Sequence, residues 1–334
     1  YATLTSVDAN VLSRLGIDAA RIQELPNRVT LGDAAFPDRS ESLLKIRRSA
    51  SLPPDARWCV YPVRGIRRKN VGELLLLSRF LPDPTFAGLT LPPTTAIESQ
   101  SYERWRSIGA ELAPKVIFDA GTFQGVSFHD NLAASDFILS TSAAEGFGMA
   151  FLEPWLAGRG VVARRLGNVV DDFTDSGVML DRFYHSLDIP GEPEWIAGCR
   201  IESEQAFANA WSRINDKFGC AFQVRQTNRP KETQAVDFAT LTPRRQIDVL
   251  RRIAHDRGFE DAVRELNASL VTWLAEPFQP STVAKNQQTI ATKYSVQVSG
   301  DRLMSLYLGL AAIQRPERPE NRPLNKNVSV VDMI

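Results

Sequence analysis

The fold is set by the segment at residues 58–80, which reads WCVYPVRGIRRKNVGELLLLSRF. Its first six residues, Trp58 to Val63, form an apolar run of the kind that suits a strand buried on both faces of a parallel sheet. Asn70 is placed to cap a helix from Val71 to Phe80, and a short basic segment joins the strand to that helix. A strand that leads directly into a helix predicts one unit of an α/β fold.

The same alternation of apolar runs and amphipathic stretches continues to about residue 166. Further strands are predicted at Phe86–Leu91, Val116–Phe118, Phe137–Leu139 and Val161–Ala163. Helices are predicted between them, one capped by Ser99 and extending over Tyr102 to Leu112, and a short one from His129 to Ala134. We therefore predict a parallel sheet with helices on both of its faces.

The spacing of apolar residues changes after about residue 200. Phe207, Trp211 and Ile214 recur at steps of three and four, which predicts a largely helical extension over residues 201–334. Thr242 followed by Pro243 predicts the start of one of its helices, because proline needs no amide donor in the first helical turn. A polar stretch at 225–234 predicts a surface loop, and the prolines from 316 onward predict an irregular end.

The overall composition excludes several classes of protein. The 334 residues are 43% hydrophobic, and Lys plus Arg equals Asp plus Glu at 39 each, so the formal net charge is zero. We expect no nucleic-acid partner, since no global positive field exists to hold a phosphate backbone. No apolar run approaches the length of a transmembrane segment. The cysteines, Cys59, Cys199 and Cys220, are odd in number and widely spaced, which favours a reducing, cytoplasmic location.

A basic segment follows the first predicted strand. Residues 64–69 read RGIRRK and place four cations in six positions, beginning at Arg64 and ending at Lys69. A basic loop at the carboxyl end of a parallel strand is where a diphosphate would be held, with arginine bonding two oxygens and lysine acting as a point charge. The alternative interpretation is a solvated run of surface charges.

An acidic turn follows the fourth predicted strand. Residues 144–155 read AEGFGMAFLEPW, with Glu145 and Glu153 eight positions apart. Gly146 and Gly148 allow a tight turn, and the amides at the start of the following helix would attract a phosphate group. If both carboxylates face one cleft, they can accept hydrogen bonds from sugar hydroxyls. The spacing of two glutamates alone could arise by chance; the glycines and the flanking strand strengthen the prediction.

His129, beside Asp130, is a further candidate for contact with a nucleotide, although a lone histidine is more often a structural group. The histidines and cysteines form no zinc pattern, and no Asp-x-Asp pair stands in a loop at the end of a strand. We therefore predict no metal site and no resident cofactor.

Taken together, these segments resemble the nucleotide-sugar-binding half of retaining GT-B glycosyltransferases of the GT4 type. Arg64 and Lys69 fit the family's Arg-x4-Lys pair, and Glu145 and Glu153 fit its Glu-x7-Glu motif. Residues 158–163, GRGVVA, resemble the segment in which a helix ends on glycine and a strand returns. Residues 15–17 and 25–29 look like the stretch between the two domains of the family, and residues 286–307 look like its closing helices.

The resemblance implies a Rossmann-like domain at residues 51–200, the GT-B C-terminal domain, with an interdomain linker and the end of a missing N-terminal half at residues 1–50. It also implies metal-independent hexosyl transfer with retention of configuration, from a nucleotide-diphosphate sugar to a carbohydrate or small-molecule acceptor. Arg64, Lys69 and Glu145 would take part in catalysis. The donor-binding residues would be Arg64, Lys69, Glu145, Gly146, Phe147, Gly148, Met149 and Glu153.

The chain opens at Tyr1 without an initiator methionine. We expect that an N-terminal part has been removed, and that this fragment alone binds a donor but transfers its sugar poorly. Two alternatives stay open. A dinucleotide-dependent oxidoreductase is less favoured because Gly121 to Gly125 lacks the G-x-G-x-x-G spacing. A non-catalytic nucleotide-binding or interaction module would have kept the fold and lost the chemistry.

Overall fold

A computed structural model describes residues 1–32, 35–218 and 234–312 of the chain. Its helices are α1 Ser6–Arg14, α2 Arg39–Ser49, α3 Val71–Ser78, α4 Ala96–Leu112, α5 Phe128–Ala134, α6 Met149–Leu156, α7 Gly167–Asp175, α8 Pro193–Phe218, α9 Pro243–His255, α10 Arg257–Leu266, α11 Ala268–Ala275, α12 Pro280–Lys293 and α13 Val296–Ala312. Its strands are β1 Ala2–Thr3, β2 Gln23–Glu24, β3 Arg57–Arg64, β4 Thr85–Leu91, β5 Val116–Ile117, β6 Phe137–Ser140, β7 Gly160–Arg164, β8 Phe183–Tyr184, β9 Asp188–Pro190 and β10 Ala235–Asp237. Cys220, the predicted irregular end and the predicted loop at 225–234, apart from its last residue, lie outside the described residues.

The central sheet has six strands in the order β5-β4-β3-β6-β7-β8, and all of its pairings are parallel. The chain builds outward from β3 through β4 to β5, then returns past β3 to add β6, β7 and β8. The direction of winding therefore reverses between β3 and β6. In open α/β sheets, ligands bind in the crevice outside the carboxyl ends of the strands at such a reversal.

The prediction of a parallel α/β sheet is confirmed. Each of the five predicted strands is present within one or two residues of its predicted bounds. The sixth strand, Phe183–Tyr184, was not predicted, because two residues are too few to give an apolar run. It is placed by tertiary pairing with the end of β7.

Two predicted helix starts need correction. Asn70 does precede α3, but its backbone has φ 49° and its side chain does not cap the helix; it donates instead to the carboxylate of Glu73, at 2.7 Å. Ser99 lies inside α4, which begins at Ala96, and its hydroxyl bonds the carbonyl of Thr95. The predicted start at Thr242 is confirmed, since its hydroxyl accepts a hydrogen bond from the amide of Arg245.

Helices cover both faces of the sheet, and the helical extension contributes to each of them. On one face α9 packs against α3 and α4, and its residues Val249 and Leu250 share a hydrophobic core with Leu74 and Leu75. On the other face α12 packs against α6, where Ile290 is fully buried. The prediction of a helical C-terminal extension is confirmed within the described residues 201–218 and 234–312. Within the described ranges, no helix has the length and apolar character needed to cross a membrane.

Candidate active site

The basic segment and the acidic turn lie against each other at the carboxyl ends of β3 and β6. The amide of Ala143 donates to the carbonyl of Arg68 at 2.8 Å. The carbonyl of Lys69 accepts hydrogen bonds from the hydroxyls of Thr141, at 2.9 Å, and Tyr61, at 3.2 Å. These bonds tie the two loops together at the point where the sheet reverses its winding. The position is the one that parallel α/β sheets use for ligands.

Glu145 is the centre of the cluster. Lys69 Nζ bonds its Oε1 atom, and Arg68 bonds its Oε2 atom at 2.8 Å. The hydroxyl of Ser142 donates to Oε1 at 2.6 Å, and Arg68 also bonds the carbonyl of Ala144 at 2.9 Å. The side chains of Lys69 and Glu145 are nearly buried, at 7% and 8% exposure, so this ion pair is little screened by solvent.

The surroundings shift both titrating groups of this pair. Burial lowers the pKa of Lys69, although the neighbouring Glu145 carboxylate opposes that shift. For Glu145 burial acts to raise the pKa, but hydrogen bonds from Lys69 and Ser142 outweigh it and the pKa lies below its usual value. The carboxylate is therefore ionised at neutral pH. It bonds both Lys69 and Arg68 beside the crevice.

The other two cations of the basic segment have different partners. Arg64, the last residue of β3, is exposed and donates to the carbonyl of Pro92 at 3.1 Å. Arg67 pairs with Glu98 on α4, whose carboxylate accepts one hydrogen bond from its amide at 2.9 Å and lies 3.4 Å from its guanidinium. Arg68 and Lys69 therefore bond Glu145, whereas Arg64 and Arg67 bond the loop and the helix that follow β4.

Helix α6 begins at the acidic turn. Gly148 precedes it with φ 83°, and a Cβ atom there would lie 2.7 Å from Val169 and 2.8 Å from Phe151. Only glycine meets both conditions without strain. The first amides of a helix have no acceptor within the helix; the amide of Phe151 donates to the carbonyl of Gly148 at 2.8 Å, which leaves those of Met149 and Ala150 available to an anion.

The remaining residues of the turn differ in their environment. Phe147 is buried and packs edge-on against Phe173 and Tyr294, so its side chain holds the turn against these two rings. Gly146 stands in open space, with no heavy atom within 4 Å of where a Cβ would be. Any contact of Phe147 with a ligand would therefore be made by its backbone.

Glu153 lies in the second turn of α6 and differs from Glu145. Burial alone raises its pKa from 4.5 to about 7. Among the residues that the structure describes, none donates a hydrogen bond to its carboxyl group. A partly buried carboxyl group without a partner is available to a ligand that can donate hydrogen bonds, such as a pair of sugar hydroxyls.

The pKa of Glu153 predicts a pH-dependent stability. The folded chain holds this proton more tightly than the unfolded chain, so the contribution is complete below pH 4.5 and is lost as the pH rises through about 7. Glu153→Gln, which cannot ionise, should be more stable than the wild type at pH 8.5 by about 1 to 2 kcal/mol, the exposed part of the side chain reducing the full effect. Urea unfolding of both proteins at pH 4.5 and 8.5 measures this, and an equal difference at both pH values would contradict it.

His129 lies in the first turn of α5, where its ring contacts the rings of Phe36 and Phe128, at 5.8 and 5.9 Å between centroids. Its neighbour Asp130 forms a capping box with Ser127. These contacts belong to the packing of α5. A role of His129 toward a nucleotide stays a prediction.

Sequence reasoning missed Ser142 and Tyr61 as parts of the site. The two hydroxyls are 2.6 Å apart; Ser142 donates to the Glu145 carboxylate, and the single proton of Tyr61 can be donated to Ser142 or to the carbonyl of Lys69. Tyr61 lies within the apolar run of β3 and Ser142 is one small residue of a polar loop, so neither has a distinguishing pattern. The register between β3 and β6 brings them together.

Comparisons with known proteins agree with this architecture. No family model matches the chain. It is 29% identical to the mannosylglucosyl-3-phosphoglycerate synthase of Petrotoga mobilis (strain DSM 10674 / SJ95) over 202 residues, which are 56% of this chain and 38% of that protein. The chain thus spans well under half the length of this curated relative.

Among solved structures, a glycosyltransferase from Rickettsia africae ESF-5 superimposes with a TM-score of 0.52 at 13% identity, covering 94% of this chain and 64% of that one. The fold is the Rossmann-like fold of GT-B glycosyltransferases, as the resemblance implied.

Proposed function

We propose that the chain is the donor-binding half of a GT-B glycosyltransferase of the GT4 type, which takes a nucleotide-diphosphate sugar and transfers the sugar with retention of configuration. The observation that carries this proposal is the cluster of Lys69, Arg68 and Glu145 beside the start of α6, at the reversal point of the sheet. In a chain of zero net charge, it concentrates positive groups and free amides at the position where α/β folds hold phosphates.

In the proposed reaction the difficult step is departure of the nucleoside diphosphate, on which negative charge accumulates. Arg64, Lys69 and the first amides of α6, from Gly148 and Met149, would stabilise that charge. Glu145 would lie near the donor sugar, and Glu153 would accept hydrogen bonds from the ribose. We propose that these groups meet the leaving-group charge without a metal ion.

The contacts of Glu145 bear on how a donor enters. Its carboxylate bonds Lys69, which is proposed to hold the diphosphate, and the neighbouring Arg68. A bound diphosphate would therefore share or replace this carboxylate on Lys69 and Arg68, which frees Glu145 for hydroxyls of the sugar. One carboxylate can serve both states because a charged oxygen accepts from ammonium, guanidinium and hydroxyl donors alike.

The proposed partners are a carbohydrate or small-molecule acceptor and an N-terminal GT-B half, without which this portion would transfer poorly. Helix α13 exposes apolar side chains, among them Met304, Tyr307 and Leu308 at 59, 59 and 64%. The amide of Val29 bonds the carbonyl of Tyr294, so the segment at 25–29 lies next to the start of this helix. Such a surface suits a second domain docked beside the crevice. We propose a cytoplasmic location.

Calorimetric titration with UDP, GDP, ADP and NAD tests the proposal. Binding of a nucleoside diphosphate is the expected result, with the preferred base identifying the donor. Binding of NAD alone would favour the oxidoreductase, and binding of none would favour a module without this chemistry.

A further inference from the structure

A buried polar cluster lies behind the site and joins four separate parts of the chain. Arg164, the last residue of β7, bonds Glu73 on α3 through Nε at 3.0 Å and a terminal nitrogen at 2.6 Å. The same guanidinium bonds both oxygens of Asp237 on β10, at 2.8 and 2.9 Å. The hydroxyl of Tyr184 on β8 adds a bond to Glu73 at 2.6 Å.

The hydrogen bonds at Glu73 are complete. Its Oε1 atom accepts from Arg164 and Tyr184, and its Oε2 atom accepts from Arg164 and from the side-chain amide of Asn70. Glu73 is fully buried and Arg164 is 5% exposed. Four donors on one carboxylate, two of them from a forked guanidinium, fix the position of that side chain closely.

Asn70 connects Glu73 to the proposed diphosphate site. It follows Lys69 directly and has φ 49°, a left-handed conformation that is uncommon outside glycine and in which asparagine is enriched. The bond to Glu73 holds its side chain, which also accepts a hydrogen bond from Gln246 on α9 at 3.2 Å. Because Lys69 is bonded directly to Asn70, a fixed backbone at Asn70 also fixes the position of Lys69 at the end of the basic segment.

We infer that Arg164 is a positioning residue for the diphosphate site. Arg164 orients Glu73, Glu73 holds the side chain of Asn70, and the turn at Asn70 places Lys69 beside the crevice. Because Arg164 also bonds Asp237, this arrangement depends on the helical extension. The inference rests on the proposed function. Arg164 would not contact the donor sugar nucleotide, but it would determine whether Lys69 is positioned to bind the phosphates.

The test compares the ligand affinities of Arg164→Met and of the milder Glu73→Gln with those of the wild type, at a temperature below the unfolding transition of each protein. We expect each variant to bind the nucleoside diphosphate at least tenfold more weakly while its affinity for the free nucleoside stays within twofold. Loss confined to the diphosphate points to Lys69, whereas general damage to the fold would weaken both ligands. The matched control is Arg245→Met, which breaks the Arg245–Glu202 pair between α9 and α8 and should leave both affinities unchanged.

An unchanged diphosphate affinity in a folded variant would overturn the inference, and so would equal losses for both ligands. Should Arg164→Met fail to fold, Glu73→Gln decides alone. Should the wild type bind no nucleoside diphosphate, the proposed function fails and amide hydrogen exchange still tests the positioning. Faster exchange at residues 67–73 in the variants than in the Arg245→Met control would support it, and equal exchange would overturn it.

Discussion

Replacing Lys69 with alanine is expected to weaken binding of a nucleoside diphosphate by roughly 1.5 to 3 kcal/mol, about 10- to 150-fold in Kd, while free nucleoside binding barely changes. The ammonium group is buried and bonded to Glu145, so its loss removes a little-screened positive charge from the phosphate site. Arg64→Ala should have an effect of the same size, through loss of a guanidinium that can bond two phosphate oxygens. Isothermal titration with the diphosphate and with the nucleoside measures both.

Arg67→Ala is the matched control for these two variants. It removes a cation from the same segment that is not among the proposed phosphate-binding residues and that pairs with Glu98 on α4. We expect a much smaller loss of diphosphate affinity from it. Equal losses of diphosphate and nucleoside affinity in Lys69→Ala would refute the phosphate role of that residue.

Gly148→Ala is expected to lower the free energy of unfolding by about 2 to 4 kcal/mol, from the left-handed backbone and the overpacked Cβ together. The added methyl group would press on Val169 and Phe151, so the start of α6 must shift and its amides lose their alignment. Diphosphate binding should fall with it. Denaturant unfolding and titration of the same protein give the two quantities.

The neighbouring Gly146 provides the control for this substitution. A Cβ atom there meets nothing within 4 Å, so Gly146→Ala should change stability by less than about 1 kcal/mol. A Gly148→Ala protein as stable as Gly146→Ala would show that the turn before α6 is not constrained as described.

Much of the sheet could be predicted from the sequence, because β3, β4, β6 and β7 are buried on both faces and form apolar runs. The site could be predicted in part, since Lys69 and Glu145 lie in loops that follow two such strands and carry unusual concentrations of charge and glycine. The register that places them in contact depends on pairing between β3 and β6, which no local pattern contains.

The parts that could not be predicted depend on distant contacts. Asn70 matches a helix cap by type and position, yet its side chain donates to the buried Glu73 and its backbone is left-handed. Arg164 stands at the end of an apolar strand and gives no local indication that it meets Asp237, 73 positions further along the chain. The roles of such residues become visible only when the sheet and the extension are assembled.

The way the extension packs on both faces of the sheet matters for anyone who prepares a shorter version of this protein. A fragment that stopped near residue 200 would expose the apolar side chains of α3 and α4 on one side and of α6 on the other, since Leu250 and Ile290 would be absent. Such a product should aggregate when expressed. Boundaries for crystallisation or spectroscopy should therefore retain the chain at least through α12.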